Sequence, residues 1–165
     1  MTTKIEYNLE EMFDHACAFA ECGDLCKEKI TNGGNIFTAR PEIVNYSFAC
    51  EVFLKILLLI DKGKLERCHT LVQLFENLPQ KTQEEIQSEV VKKSFKWCDT
   101  FGFPLLNQIS DAFVNWRYCY ECNPRKGGAL LIDLGFLYAF CDTLRGQCCE
   151  KVFHMTWAEY QKRRG

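Results

Sequence analysis

The chain has 165 residues, of which 47% are hydrophobic, and a formal net charge of -2. That size fits a single domain spanning residues 1–165, and that apolar content excludes a disordered chain. The near-neutral balance excludes a global positive field for nucleic acid and leaves only local clusters: Lys62, Lys64 and Arg67; Lys92, Lys93 and Lys96; and Lys162, Arg163 and Arg164. Solvated helix ends are the plain reading of each.

Asn8, with Glu11 three residues on, makes a capping box, and Leu9, Met12, Phe13, Ala16, Ala20 and Ile30 follow with helical spacing. Thr31 to Asn35 forms a loop. Pro41 suits the first turn of a second helix running to about Asp61, the most apolar segment and the expected centre of the fold. On that helix Ser47, Glu51 and Lys55 fall at successive four-residue steps, a narrow polar stripe that either meets solvent or faces a polar groove. Gly63 ends the helix. Thr70 with Gln73 predicts a capped short helix through Leu78, and Thr82 with Glu85 caps the next, to about Trp97. Pro104 opens a helix through Ile109, Ala112, Phe113, Trp116 and Tyr120, closed by Asn123-Pro124 and Gly127-Gly128. A further apolar helix spans Ala129 to about Gln147, and Thr156 with Glu159 caps a last short one. No stretch alternates with period two. The fold class is all-α, an up-and-down bundle of five or six helices.

Eleven cysteines, an odd number, lie largely within apolar helical patterns, and Met1 to Asn8 is polar. This predicts a reduced, cytoplasmic protein with no membrane span: the longest apolar run, Val52 to Ile60, falls short of the ~18 residues a span needs. Cys119 and Cys122 have metal or redox spacing, with Cys68 and His69 the one pair able to complete a zinc site. Incidental packing of small thiols is the plainer reading, and no cofactor is expected.

Two blocks, Asn45 to Leu58 followed by His69-Thr70-Leu71 and Leu74-Phe75, and Ala112 to Glu121, together resemble the HEPN superfamily of prokaryotic helical domains. The likeness spans roughly residues 40 to 145. It implies an HEPN-like bundle, a homodimer, and a place in bacterial defence, toxin–antitoxin or stress systems, with RNA or a nucleotidyltransferase-type antitoxin as possible partners. Many members of the superfamily are metal-independent ribonucleases whose motif is an arginine, four to six residues, then a histidine. Arg117 matches the arginine; Cys122, Asn123 and Pro124 stand where the histidine would. The resemblance therefore implies a non-catalytic RNA-binding or protein-interaction module. The alternative is a ribonuclease with a displaced histidine, for which His69 is the candidate partner of Arg117. A cysteine-based metal or redox protein is a third reading.

Arginine stays protonated and binds phosphate or carboxylate in a bidentate fork, whereas acid–base work near neutrality calls for histidine. Arg117, Tyr118 and Glu121, with Glu51 and Lys55 from the second helix, are expected to line one polar groove. That groove faces RNA or a partner, or is an internal ion-pair network fixing helix register.

Overall fold

The structure, a computed structural model, describes residues 6–33, 39–65, 67–93, 101–110 and 132–164. Among them every regular element is a helix: α1 (Leu9–Thr31), α2 (Ala39–Lys62), α3 (Leu71–Glu76), α4 (Gln80–Lys93), α5 (Phe103–Ser110), α6 (Leu134–Phe153) and α7 (Trp157–Arg164). The described residues hold seven helices, more than the five or six expected of the chain, and they form an all-α bundle.

Helix α2 is the core element. Phe53, Leu54, Ile56, Leu57 and Leu58 are fully buried, with α1 and α6 packed along it. By length and composition alone α2 could cross a membrane, a test that the shorter Val52–Ile60 run does not pass; here most of its apolar window is buried inside the bundle. On α1, Phe13, Ala16, Cys17, Ala20 and Gly23 recur at three- and four-residue steps and form the face against α2. Gly23 is required there. A Cβ at that position would lie 2.8 Å from the Tyr46 ring, which is itself anchored by a hydrogen bond from its hydroxyl to Asp24.

Local cap chemistry sets some boundaries as the sequence predicts. The Asn8 side chain accepts from the Glu11 N–H, and Thr156 and Glu159 bond reciprocally, Thr156 N–H to Glu159 Oε2 at 2.8 Å and Glu159 N–H to Thr156 Oγ1 at 3.3 Å. Gly63 sits at φ +68° and its N–H bonds Leu59 O, the left-handed stop that glycine permits.

Tertiary partners move other boundaries. α4 starts at Gln80, so Thr82 lies inside the helix rather than at its cap. Its hydroxyl donates instead to Asp61 at the end of α2, 2.8 Å away, and Lys151 of α6 holds the other Asp61 oxygen. α3 stops at Glu76, short of Leu78. α6 begins at Leu134 and runs to Phe153, not from Ala129 to Gln147. Asp133 caps its start by accepting from Phe136 N–H, and His154 ends it in the left-handed conformation. The expected end of α4 at Trp97 and the extension of α5 beyond Ser110 lie outside the described residues.

Candidate functional site

The polar stripe of α2 faces inward. Ser47 and Glu51 are only 1% and 2% exposed, on a helix otherwise lined with Leu, Ile and Phe. A carboxylate in such surroundings must recruit cations or donors to offset its desolvation. Glu51 does so through one oxygen. Lys55 Nζ lies 2.6 Å from Glu51 Oε1, and His69 Nδ1 lies 2.8 Å from the same atom. The other oxygen, Oε2, and the neighbouring Ser47 hydroxyl have no hydrogen-bond partner among the described residues.

A chain reversal brings the histidine there. Gly63 turns the backbone out of α2, and His69 then meets a side chain 18 residues earlier on that helix. Lys62 at the end of α2, and Lys64 and Arg67 after it, are exposed. An ionised carboxylate only accepts, so His69 Nδ1 is the donor toward Glu51, and Nε2 takes no part in that bond. The His69 side chain is 71% exposed, against 14% for Lys55 and 3% for Glu51. The arrangement is thus a buried anion holding one mostly buried lysine and one open imidazole.

The entrance to α3 is built by atoms from three segments. Thr70 occupies the N-cap with extended backbone, but its side chain makes no capping bond and lies 3.3 Å from Cys68 Sγ. Cys68 Sγ also donates to Gln73 Oε1 at 2.8 Å. The predicted Thr70–Gln73 capping box is therefore replaced by a thiol-centred cluster. The free N–H in the first turn of α3, that of Val72, is satisfied by Ser110 Oγ of α5 at 3.1 Å. Ser110 of α5 thus meets the first turn of α3 at Val72, three residues beyond His69.

Of the sequence-predicted site residues, the structure brings together Glu51, Lys55 and His69. Arg117, Tyr118 and Glu121 lie outside the described residues, as do Cys119 and Cys122 of the proposed metal motif. Among the described residues no three His, Cys, Asp or Glu side chains converge on a point that could hold a metal ion. Cys17, Cys50 and Cys141 are buried as packing residues, as their helical pattern predicts; Cys148 and Cys149 are buried too. Sequence reasoning missed the Glu51–His69 bond. The signal available was the spacing of Gly63 and His69 after an apolar helix, which allows the reversal but names no partner.

Comparison with known protein families, curated proteins and solved structures gives no match for this chain.

Proposed function

We propose that this chain is a HEPN-like helical domain that binds RNA, without cutting it, in a bacterial defence, toxin–antitoxin or stress system. The observation that carries the reading is the Glu51–Lys55–His69 cluster, with the exposed Lys62, Lys64 and Arg67 lying in the chain between Lys55 and His69. RNA binding is dominated by phosphate contacts from lysine and arginine, and an imidazole held by a carboxylate adds a donor or a charge at the same edge. The two sequence blocks resembling HEPN domains support the same reading, because His69 and Glu51 come from the first and Arg117 from the second. A homodimer, or pairing with a nucleotidyltransferase-type antitoxin, accords with that resemblance.

A second reading is favoured by one specific feature. Glu51 on Nδ1 with Nε2 open is the orientation that prepares an imidazole for proton transfer. On that reading His69 is the displaced histidine of a metal-independent ribonuclease working with Arg117, accepting the 2′-hydroxyl proton as that oxygen attacks the adjacent phosphorus.

End-labelled single-stranded RNA incubated with the protein in EDTA separates the two. The binding reading expects a retarded, intact RNA, a complex weakened by His69→Ala, and an affinity that falls steeply with salt. Cleavage that disappears in His69→Ala while binding persists would replace it with the ribonuclease reading. No association at low salt would overturn both.

A further inference from the structure

The phenylalanines divide by exposure. Phe75 and Phe140 are fully buried and Phe136 nearly so, and together they form an aromatic core between α3 and α6. Phe103, the first residue of α5, belongs to the same cluster but stands 41% exposed. It meets Phe75 edge to face at 6.2 Å and the partly buried Phe101 at 5.8 Å, with interplanar angles of 70° and 87°. Two neighbouring rings thus hold Phe103 in place while part of it faces solvent.

The same side of α5 leads from that ring toward His69. Asn107 and Ser110 follow Phe103 at steps of four and three, so the three share a helix face. Asn107 is exposed, and its amide has no hydrogen-bond partner among the described residues. Ser110 Oγ accepts from Val72 N–H at 3.1 Å, in the turn that follows His69. From Phe103 to Ser110 the helix rises roughly 10 Å. One stripe therefore carries an anchored open ring, then a free amide, and ends beside the His69 segment.

The occupant follows from size and chemistry. One ring is too small to seat a protein, whose interface needs about 800 Å² on each side. The exposed Asn107 and Gln108 amides beside it do not suit a lipid or an apolar peptide. A nucleobase matches both features. Its face stacks on an aromatic ring, and its edge carries donors and acceptors that an amide C=O and NH2 can pair.

We propose that Phe103 and Asn107 form a nucleobase subsite, in which an unpaired base stacks on the Phe103 ring and pairs its edge with the Asn107 amide. The subsite presupposes the RNA binding proposed for His69. It adds that the strand is single there, because a base inside a duplex has no free face.

The affinity of the full-length protein and its variants for a short unstructured RNA, and for the same sequence as a duplex, tests this. Phe103→Ala should weaken single-strand binding by about fivefold or more. Phe103→Trp should retain it and Phe103→Leu should not, since leucine keeps apolar bulk without a π face. Asn107→Ala should weaken it by about twofold to tenfold, the loss of a hydrogen bond. The salt dependence of Phe103→Ala should match that of the parent, because no phosphate contact is lost, and its duplex affinity should be unchanged. Equal single-strand affinity of Phe103→Ala and the parent, while His69→Ala still weakens binding, would overturn the subsite and leave RNA binding at His69 standing. So would equal affinities of the leucine and tryptophan variants. No association of either RNA with the parent would overturn both.

Discussion

His69 Nδ1 lies 2.8 Å from Glu51 Oε1, an atom that also receives Lys55 Nζ at 2.6 Å. Both nitrogens thus share one oxygen of a buried carboxylate while its twin, and the Ser47 hydroxyl on the turn before, stay unpaired among the described residues. An unpaired buried group costs free energy without stabilising the fold, and groups kept at that cost mark places where the chain is shaped for something other than stability.

Ser47 gives the plainest check of that cost. Replacing the unpaired hydroxyl by hydrogen in Ser47→Ala should leave stability unchanged or raise it by up to about 1 kcal/mol, since no bond is lost and alanine favours helix. Urea denaturation measures it. A loss of about 1 kcal/mol or more would show that the hydroxyl has a partner in solution.

Two glycines inside helices should respond in opposite directions. Gly23→Ala forces a methyl to 2.8 Å from the buried Tyr46 ring, which its bond to Asp24 holds in place, and should cost about 1–3 kcal/mol. Gly146→Ala enters open space and should stabilise by roughly 0.5–1 kcal/mol through lower backbone entropy in the unfolded chain. Thermal unfolding of both variants, side by side, checks the pair.

Acid should loosen the contact between α4 and α6. Burial pushes the Asp142 carboxyl up, but hydrogen bonds from Lys93 and Arg145 outweigh it and hold the group below the ordinary aspartate range. Because the folded value is depressed, the unfolded chain binds more protons between the two values. The contribution is therefore complete above about pH 4 and is lost as pH falls through the folded value. Asp142→Asn should be less stable than the parent at neutral pH, with the gap closing toward pH 2. A gap independent of pH would contradict the assignment.

Alkali acts through other groups. Burial pushes the Cys17 thiol up to about 12, and burial together with the hydrogen bond to Asp14 takes Tyr160 up to about 12. Both raised values mean stability that is full below the unfolded values, near 8.5 and 10, and declines as pH rises toward 12. In the native protein at pH 8, a thiol reagent should modify exposed Cys22 quickly and leave Cys17, Cys50, Cys141 and Cys148 unmodified until unfolding. Peptide mapping after brief labelling reads this directly.

Features set within a few residues were legible in the sequence. Asn8 and Thr156–Glu159 cap as read, because a cap needs only its own first turn, and α2 is central because its apolar residues surround most of the helix. Features set between distant segments were not. Thr82 carries the local signature of a cap, but Asp61 claims its hydroxyl; Thr70 carries another, but Ser110 satisfies the first turn of α3 in its place. The stripe of Ser47, Glu51 and Lys55 was visible as a shared helix face. That it turns inward and captures His69 depends on the reversal after Gly63, which no periodicity encodes. Arg117, Tyr118 and Glu121 remain a sequence-based expectation, since they fall outside the described residues.

The central claim is that RNA is met at His69, and the protein supplies its own controls: three histidines in all, with His15 exposed on α1 and His154 exposed at the end of α6. Imidazole nitrogen and proton resonances recorded during a titration with single-stranded RNA follow all three at once. A saturable change is expected at His69, with Nδ1 protonated in the free protein and little change at His15 or His154. A His69 ring that stays silent while RNA binds, or three rings that respond alike, would contradict it.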